Sequence, residues 1–232
     1  MNNAKAAGIE DEPEPESKPE IVQTAVLDTN WGVIKFELYT ELAPITTDNF
    51  IKLADEKFYD GIKFHRIIDD FVIQTGDPNT RNDNPYDDGS GGSDQTIPLE
   101  IHPDLTHIDG AVGMARSAEE DSASSQFYIC DGPQHGLDGD YAVFGITVEG
   151  MDVVRDIASA ETYPDYRVML KDHPVDDIVM NQVYIEEFIN TTNESAEEID
   201  SESKKDSMPG FQTPFVLSAM AAAAVIVYYK RR

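Results

Sequence analysis

The stretch FHRIIDDFVIQTGD, residues 64–77, places a single cation in a sequence that predicts a β-strand, a turn and a second strand. Arg66 stands near one end and Gln74 near the other, and no nucleophile or paired base accompanies them. Arginine keeps its charge and presents a rigid fork of N–H donors. The chemistry that Arg66 can provide is therefore hydrogen-bond donation from a permanently charged group.

Other catalytic patterns are missing from the sequence. The five histidines occur singly, without zinc-type spacing, and are His65, His102, His107, His135 and His173. The Gly-rich segment 87–94 lacks the lysine of a phosphate-binding loop. The carboxylates of residues 83–94 leave calcium as an alternative, although Pro85 breaks the EF-hand pattern. We expect neither a cofactor nor a metal.

One reaction needs little beyond an arginine and a dry pocket. Rotation about an X-Pro bond makes and breaks no bond, but its transition state loses amide resonance across a barrier of roughly 18 to 20 kcal/mol. The lone pair then becomes localised on the proline nitrogen. A donor placed there stabilises the twisted state more than either planar state.

Short apolar runs separated by turn residues predict a mainly β domain. Residues 24–38 form a hairpin around Asn30 to Gly32, and strand-like segments recur up to residue 188. Two helices are predicted: one beginning near Pro44, with Ile45, Phe50, Leu53 and Ala54 near one face, and one over residues 151–158. The expected architecture is a closed eight-stranded antiparallel barrel capped by these two helices.

Charge excludes one class of partner. The chain carries 17 basic and 45 acidic residues, for a net charge of −28. Residues 24–189 alone contain 10 basic and 33 acidic residues. Such a surface repels nucleic acid. The acidic excess is a device for solubility in a salty or extracellular medium, or alternatively a surface that binds cations. The lone Cys130 is expected to be a small buried residue and cannot form an intramolecular disulfide.

The segments outside the domain differ from it in composition. We predict a disordered acidic arm without a secretory signal over residues 1–23. The folded domain is predicted over residues 24–189, and a disordered acidic linker over residues 190–210. Residues 211–232 contain an uncharged run, 213–229, that would extend about 25 Å as a helix. This run predicts a membrane-spanning helix or, alternatively, a buried helix of the core.

The basic end of that segment, Lys230 to Arg232, favours a domain on the extracellular face, whereas the missing signal sequence favours the cytoplasmic face. Pro209, Gly210 and Phe211, followed by the apolar run, resemble the PGF-type sorting signals of archaeal surface proteins. That resemblance implies that the tail would be exchanged for a lipid anchor.

Four blocks of the domain resemble the cyclophilin-type peptidyl-prolyl isomerases: FHRIIDDFVIQTGD, GAVGMAR, SSQFYIC and LDGDYAVFG. The resemblance implies that Arg66 is the catalytic arginine and that Gln74 orients it. It implies further that the walls of the proline pocket are Phe71, Val72, Tyr128, Leu137 and Tyr141. It also implies that the backbone of Ala115 and Arg116 pairs with the peptide, whereas His65 and Gln126 are interpreted as structural supports.

Three positions depart from the family pattern. Tyr128 replaces the usual phenylalanine and needs a partner for its hydroxyl if it is buried. Gly136 replaces a frequent tryptophan, and Tyr141 replaces a histidine. We expect retained catalysis with weak cyclosporin binding, by a monomeric domain that acts on proline-containing unfolded or exported polypeptides and assists their folding. The alternative is a membrane-tethered module that binds such peptides without turnover.

Overall fold

The computed structural model of the chain describes residues 20–164 and 167–190. Those residues form one antiparallel sheet of eight strands with two α-helices. The strands are β1 (Glu20–Thr29), β2 (Gly32–Leu38), β3 (Arg66–Ile68), β4 (Val72–Thr75), β5 (Ala111–Met114), β6 (Phe127–Cys130), β7 (Val143–Glu149) and β8 (Met180–Asn190). The helices are α1 (Pro44–Asp55) and α2 (Met151–Ala158). Four short 3-10 helices lie in the connections, at Pro78–Arg81, Glu120–Ser122, His135–Leu137 and Val168–Leu170.

The sheet has the strand order β3-β4-β6-β5-β7-β2-β1-β8, so β3 and β8 are its edges. The prediction of a mainly β domain with eight antiparallel strands and two helices is confirmed. The predicted continuous closure of the barrel is not seen in the strand pairing. The two edges are joined just before the short strand β3. The N–H of Phe64 donates to the carbonyl of Ile178, and the N–H of Met180 donates to the carbonyl of Ile62, both at 2.9 Å.

The domain begins earlier than predicted. Residues 20–23, which the sequence analysis assigned to the acidic arm, belong to β1 and pair with residues 187–190 of β8. The predictions for residues 1–19 and 191–232, including the linker and the C-terminal apolar segment, lie outside the described residues. Within the described ranges, the structure contains no helix with the length and apolar character needed to span a membrane.

Each helix packs one of its faces against the hydrophobic core. Helix α1 begins at Pro44 as predicted and buries Phe50 and Leu53. The prediction was wrong for Ile45, which is 46% exposed. At about 100° per residue, Ile45 lies about 140° around the helix from Phe50, so it faces solvent. Helix α2 has the predicted bounds and buries Val154.

Candidate active site

The candidate site is built on one row of residues that crosses four neighbouring strands. Arg66 on β3 lies opposite Gln74 on β4, Gln74 lies opposite Tyr128 on β6, and Tyr128 lies opposite Gly113 on β5. Directly opposed residues project from the same face of a sheet. The adjacent row projects from the other face into the core and is wholly apolar: Ile67, Ile73, Ile129 and Val112. The period-2 alternation of the strands thus places Arg66 and Gln74 together on the outer face.

Side-chain contacts hold Arg66 at the edge of this face. Its Nη1 donates to Oε1 of Gln74 at 3.4 Å, and its guanidinium carbon lies 5.6 Å from the centroid of the Phe71 ring. The amide nitrogen of Gln74 donates in turn to Oε1 of Gln126 at 3.0 Å. Within the described chain, these contacts use one of the five N–H donors of the guanidinium. The other donors can serve a ligand.

An apolar cluster adjoins the guanidinium, and its outer surface is the wall of the predicted proline pocket. The buried side chains of this cluster are Val72, Ala111, Tyr128, Cys130 and Val143, and the partly buried ones are Tyr39, Phe71, Leu105, Ala115, Leu137 and Tyr141. The rings of Tyr128 and Tyr141 meet edge to face, with their centroids 6.2 Å apart. The structure therefore brings together all five residues predicted as pocket walls, with Ala115 beside them.

Arg116 contacts the rim of the pocket through its side chain. Its Nε donates to the carbonyl of Asp140 at 2.9 Å, and its guanidinium lies 5.0 Å from the centroid of the Tyr141 ring. Strand β5 ends at Met114, one residue before Ala115, whose N–H donates to Gln126. The pairing of this segment with a peptide stays a prediction.

Sequence reasoning missed the residues behind the pocket. The hydroxyl of Tyr128 lies 2.8 Å from Nε2 of His107, and Nδ1 of His107 lies 2.8 Å from Oδ1 of Asp138. The signal that could have found them was Tyr128 itself, since a buried phenol needs a hydrogen-bond partner. Gln126 supports the site as interpreted, because it also donates to the carbonyls of Gly89 and Gly91.

In the acidic loop of residues 83–94, no three carboxylates of the described chain lie close enough together to share an ion. Among the described residues, the single group of three ligand-type side chains close enough to share an ion is Asp69, Asp70 and Asp131, outside that loop. Asp88 of the loop instead pairs with His173 at 2.9 Å. The alternative of calcium binding in residues 83–94 therefore gains no support.

Cys130 is buried, as predicted, and belongs to the same apolar cluster as Tyr128. Burial raises the pKa of its thiol to about 12, and the charges of Asp109 and Asp138 add to this effect. The thiol is consequently protonated at neutral pH and acts as a packing group.

Comparisons with known proteins agree with this geometry. Residues 24–185 match the family model described as cyclophilin type peptidyl-prolyl cis-trans isomerase/CLD. Peptidyl-prolyl cis-trans isomerase-like 1 of Mus musculus is 37% identical over 161 residues, which cover 68% of this chain and 89% of that protein. Peptidyl-prolyl cis-trans isomerase B of Bacillus subtilis is 41% identical over 136 residues, or 59% of this chain and 90% of the relative.

Solved structures give the same result. The crystal structure of a cyclophilin type peptidyl-prolyl cis-trans isomerase from Cryptosporidium parvum superposes with a TM-score of 0.63 and 27% identity, over 71% of this chain and 97% of the other. A second crystal structure of that protein, in the presence of the dipeptide Ala-Pro, gives a TM-score of 0.62 at 27% identity, over 70% and 98% of the two chains. The chain belongs to the family of cyclophilin-type peptidyl-prolyl cis-trans isomerases, and it is an enzyme of that class.

Proposed function

We propose that this enzyme accelerates X-Pro rotation by hydrogen bonding from Arg66 to the proline amide, with Gln74 orienting the arginine. The observation that carries the proposal is the position of the guanidinium beside the apolar cluster, 5.6 Å from the ring of Phe71. A proline ring seated against that cluster would place its nitrogen near the rim. The free donors of Arg66 could then meet the lone pair that develops there.

The pocket residues have separate roles in this proposal. Five apolar and aromatic side chains receive the proline ring: Phe71, Val72, Tyr128, Leu137 and Tyr141. The backbone of Ala115 and Arg116 pairs with the peptide on either side of the ring. A fixed charge in a site that excludes water stabilises developing charge without reorganising, so the donor favours the twisted state over both planar isomers. The substrates would be proline-containing unfolded or exported polypeptides, whose folding a monomeric enzyme would assist.

The test compares the full chain with Arg66→Ala in an isomerisation assay on an Ala-Pro peptide. Loss of one preorganised donor should lower kcat by about 10²- to 10³-fold. Arg81→Ala is the matched control, because Arg81 also contacts an aromatic ring, at 5.5 Å from Phe58, but lies outside the pocket. The control should keep the wild-type rate, and circular dichroism should show both variants folded.

Two results would count against the proposal. A folded Arg66→Ala enzyme with the wild-type rate would remove the arginine from the mechanism. Saturable binding of the peptide by the wild-type chain, without any acceleration over buffer, would favour the alternative of a binding module. Binding is measured in parallel by titration of the same peptide.

We also propose that residues 211–232 attach the enzyme to a membrane, with the domain on the extracellular face. The support is compositional: the uncharged run 213–229 approaches the roughly 30 Å thickness of the hydrocarbon layer, and basic residues 230–232 follow it. The full chain should sediment with membranes, and the chain truncated after residue 210 should stay in the supernatant. Protease added to intact cells should degrade the domain, and a protected domain would place it inside.

A further inference from the structure

The wall of the pocket carries a hydroxyl whose partner, the ring of His107, is hidden from solvent. Tyr128 is 4% exposed, and its hydroxyl oxygen lies 2.8 Å from Nε2 of the fully buried His107. Oδ1 of Asp138 accepts hydrogen bonds from both the ring and the backbone of His107, at 2.8 and 2.7 Å. We call Tyr128, His107 and Asp138 the triad, in which the first two side chains are buried and that of Asp138 is 28% exposed. The triad connects β6, the segment before β5 and the turn after Leu137.

Electrostatics determine which atoms of the triad carry protons. Burial disfavours the Asp138 carboxylate, but hydrogen bonds from His107 and His135 outweigh burial and lower the pKa of Asp138 to about 2. An ionised carboxylate only accepts hydrogen bonds, so Nδ1 of His107 must carry a proton. Burial lowers the pKa of His107 despite the opposing effect of Asp138, and the ring is neutral. Nε2 is then an acceptor, and the hydroxyl of Tyr128 donates to it.

The neighbouring strand fixes the direction of the Tyr128 ring. Gly113 lies directly opposite Tyr128, and a Cβ atom at this position would overlap the phenol ring. The ring therefore lies over β5, on the side of Tyr128 away from Gln74 and Arg66. The hydroxyl of Tyr128 points away from the apolar cluster and toward His107. The aromatic ring, and not the hydroxyl, therefore lines the pocket.

We propose that His107 and Asp138 are positioning residues for the proline pocket, because they hold the Tyr128 ring over Gly113 with its hydroxyl turned away from the bound proline. This proposal rests on the proposed function and deepens it, since it explains how a tyrosine can form an apolar pocket wall. The triad also ties that wall to Leu137, the residue before Asp138. Its loss should weaken substrate binding and leave the chemical step at Arg66 unchanged.

Kinetics of the full chain test the proposal. In His107→Phe the ring keeps a similar shape but has no nitrogen, which leaves the Tyr128 hydroxyl without an acceptor, whereas Asp138 still accepts from the backbone N–H of residue 107. An unpaired buried hydroxyl should raise KM for an Ala-Pro peptide by about tenfold, with kcat within about twofold of the wild type. His102→Phe, which alters a partly exposed histidine five residues earlier in the chain and outside the triad, is the matched control and should change neither constant.

A double-mutant cycle separates positioning from general damage. When Tyr128→Phe is already present, no hydroxyl needs an acceptor, so His107→Phe should then raise KM by less than about twofold. The same increase in both backgrounds, or a fall in kcat instead of a rise in KM, would overturn the proposal. These variants share one pocket, so the interaction between them is the informative quantity.

Nitrogen NMR of the wild-type chain gives a test that needs no variant. The triad requires neutral His107 with its proton on Nδ1, and a hydroxyl proton of Tyr128 shielded from exchange. A proton on Nε2 would overturn the proposal. If the wild-type chain neither binds nor isomerises any X-Pro peptide, the proposed function fails, but the NMR result still decides whether the triad exists.

Discussion

Acid should destabilise this enzyme through His65, a histidine that the active site does not use. His65 is 7% exposed, and no hydrogen bond of normal geometry reaches either ring nitrogen within the described chain, although the side chain of Gln126 lies near the ring. Gly89, in the middle of the acidic loop, lies against its ring. Burial lowers the pKa of His65 to about 4, although the charge of Asp77 opposes this effect. The folded protein therefore keeps His65 neutral where an unfolded chain would protonate it.

The size of the effect follows from the two pKa values. Because the folded-state pKa lies below the unfolded value of about 6.5, the stabilisation is complete above pH 6.5 and is lost as the pH falls toward 4. At about 1.4 kcal/mol per pH unit, the full loss is about 3 kcal/mol. Proton linkage places about 2 kcal/mol of this loss between pH 7.5 and pH 5.

Urea unfolding at pH 7.5 and pH 5 measures this loss. His65→Phe has a ring of similar shape that cannot be protonated, and it breaks no hydrogen bond of normal geometry. The wild type should lose about 2 kcal/mol more unfolding free energy than the variant between the two pH values. The comparison cancels His107 and the carboxylates, which both proteins share. Equal losses in the two proteins, or an NMR titration of His65 with a midpoint above pH 6, would refute the reasoning.

Three further predictions concern the fold. Phe50→Ala removes a fully buried ring and should lower the unfolding free energy in urea by about 3 to 5 kcal/mol. Gly76→Ala places a Cβ against the backbone of Ser125 at a φ of +92°, so its melting temperature should fall below that of the wild type; an unchanged value would contradict the geometry. Arg155→Ala breaks an exposed pair with Asp109 and should cost less than about 1 kcal/mol in the same urea assay.

Local patterns predicted much of this fold. The hairpin that places Arg66 opposite Gln74 follows from alternation around a polar turn, and helix α2 follows from helical spacing over residues 151–158. Both depend on residues close in sequence. The start of β1 at Glu20 could not be found in this way, because it depends on pairing with Asn190 at the far end of the domain.

The site was predictable in composition but not in its hidden contacts. The family resemblance identified the residues of the pocket walls. The presence of Tyr128 indicated only that its hydroxyl needs a hydrogen-bond partner if it is buried, without showing which residue that is. His107 and Asp138 lie 21 residues before and 10 residues after Tyr128, and they meet only once β5 and β6 are paired. Sequence spacing cannot encode such a meeting. The exposure of Ile45 shows a smaller limit of prediction from sequence, since an apolar residue can belong to a helix without lying on its buried face.

The protonated thiol of Cys130 makes the enzyme suited to site-specific labelling. The sequence has one cysteine, so a cysteine introduced on the surface would be the single reactive thiol of the native protein at neutral pH. A maleimide dye could then be attached at any chosen position without first removing Cys130. The native thiol would in turn become reactive only when β6 separates from its neighbours, so its rate of modification would report the opening of the pocket wall over time.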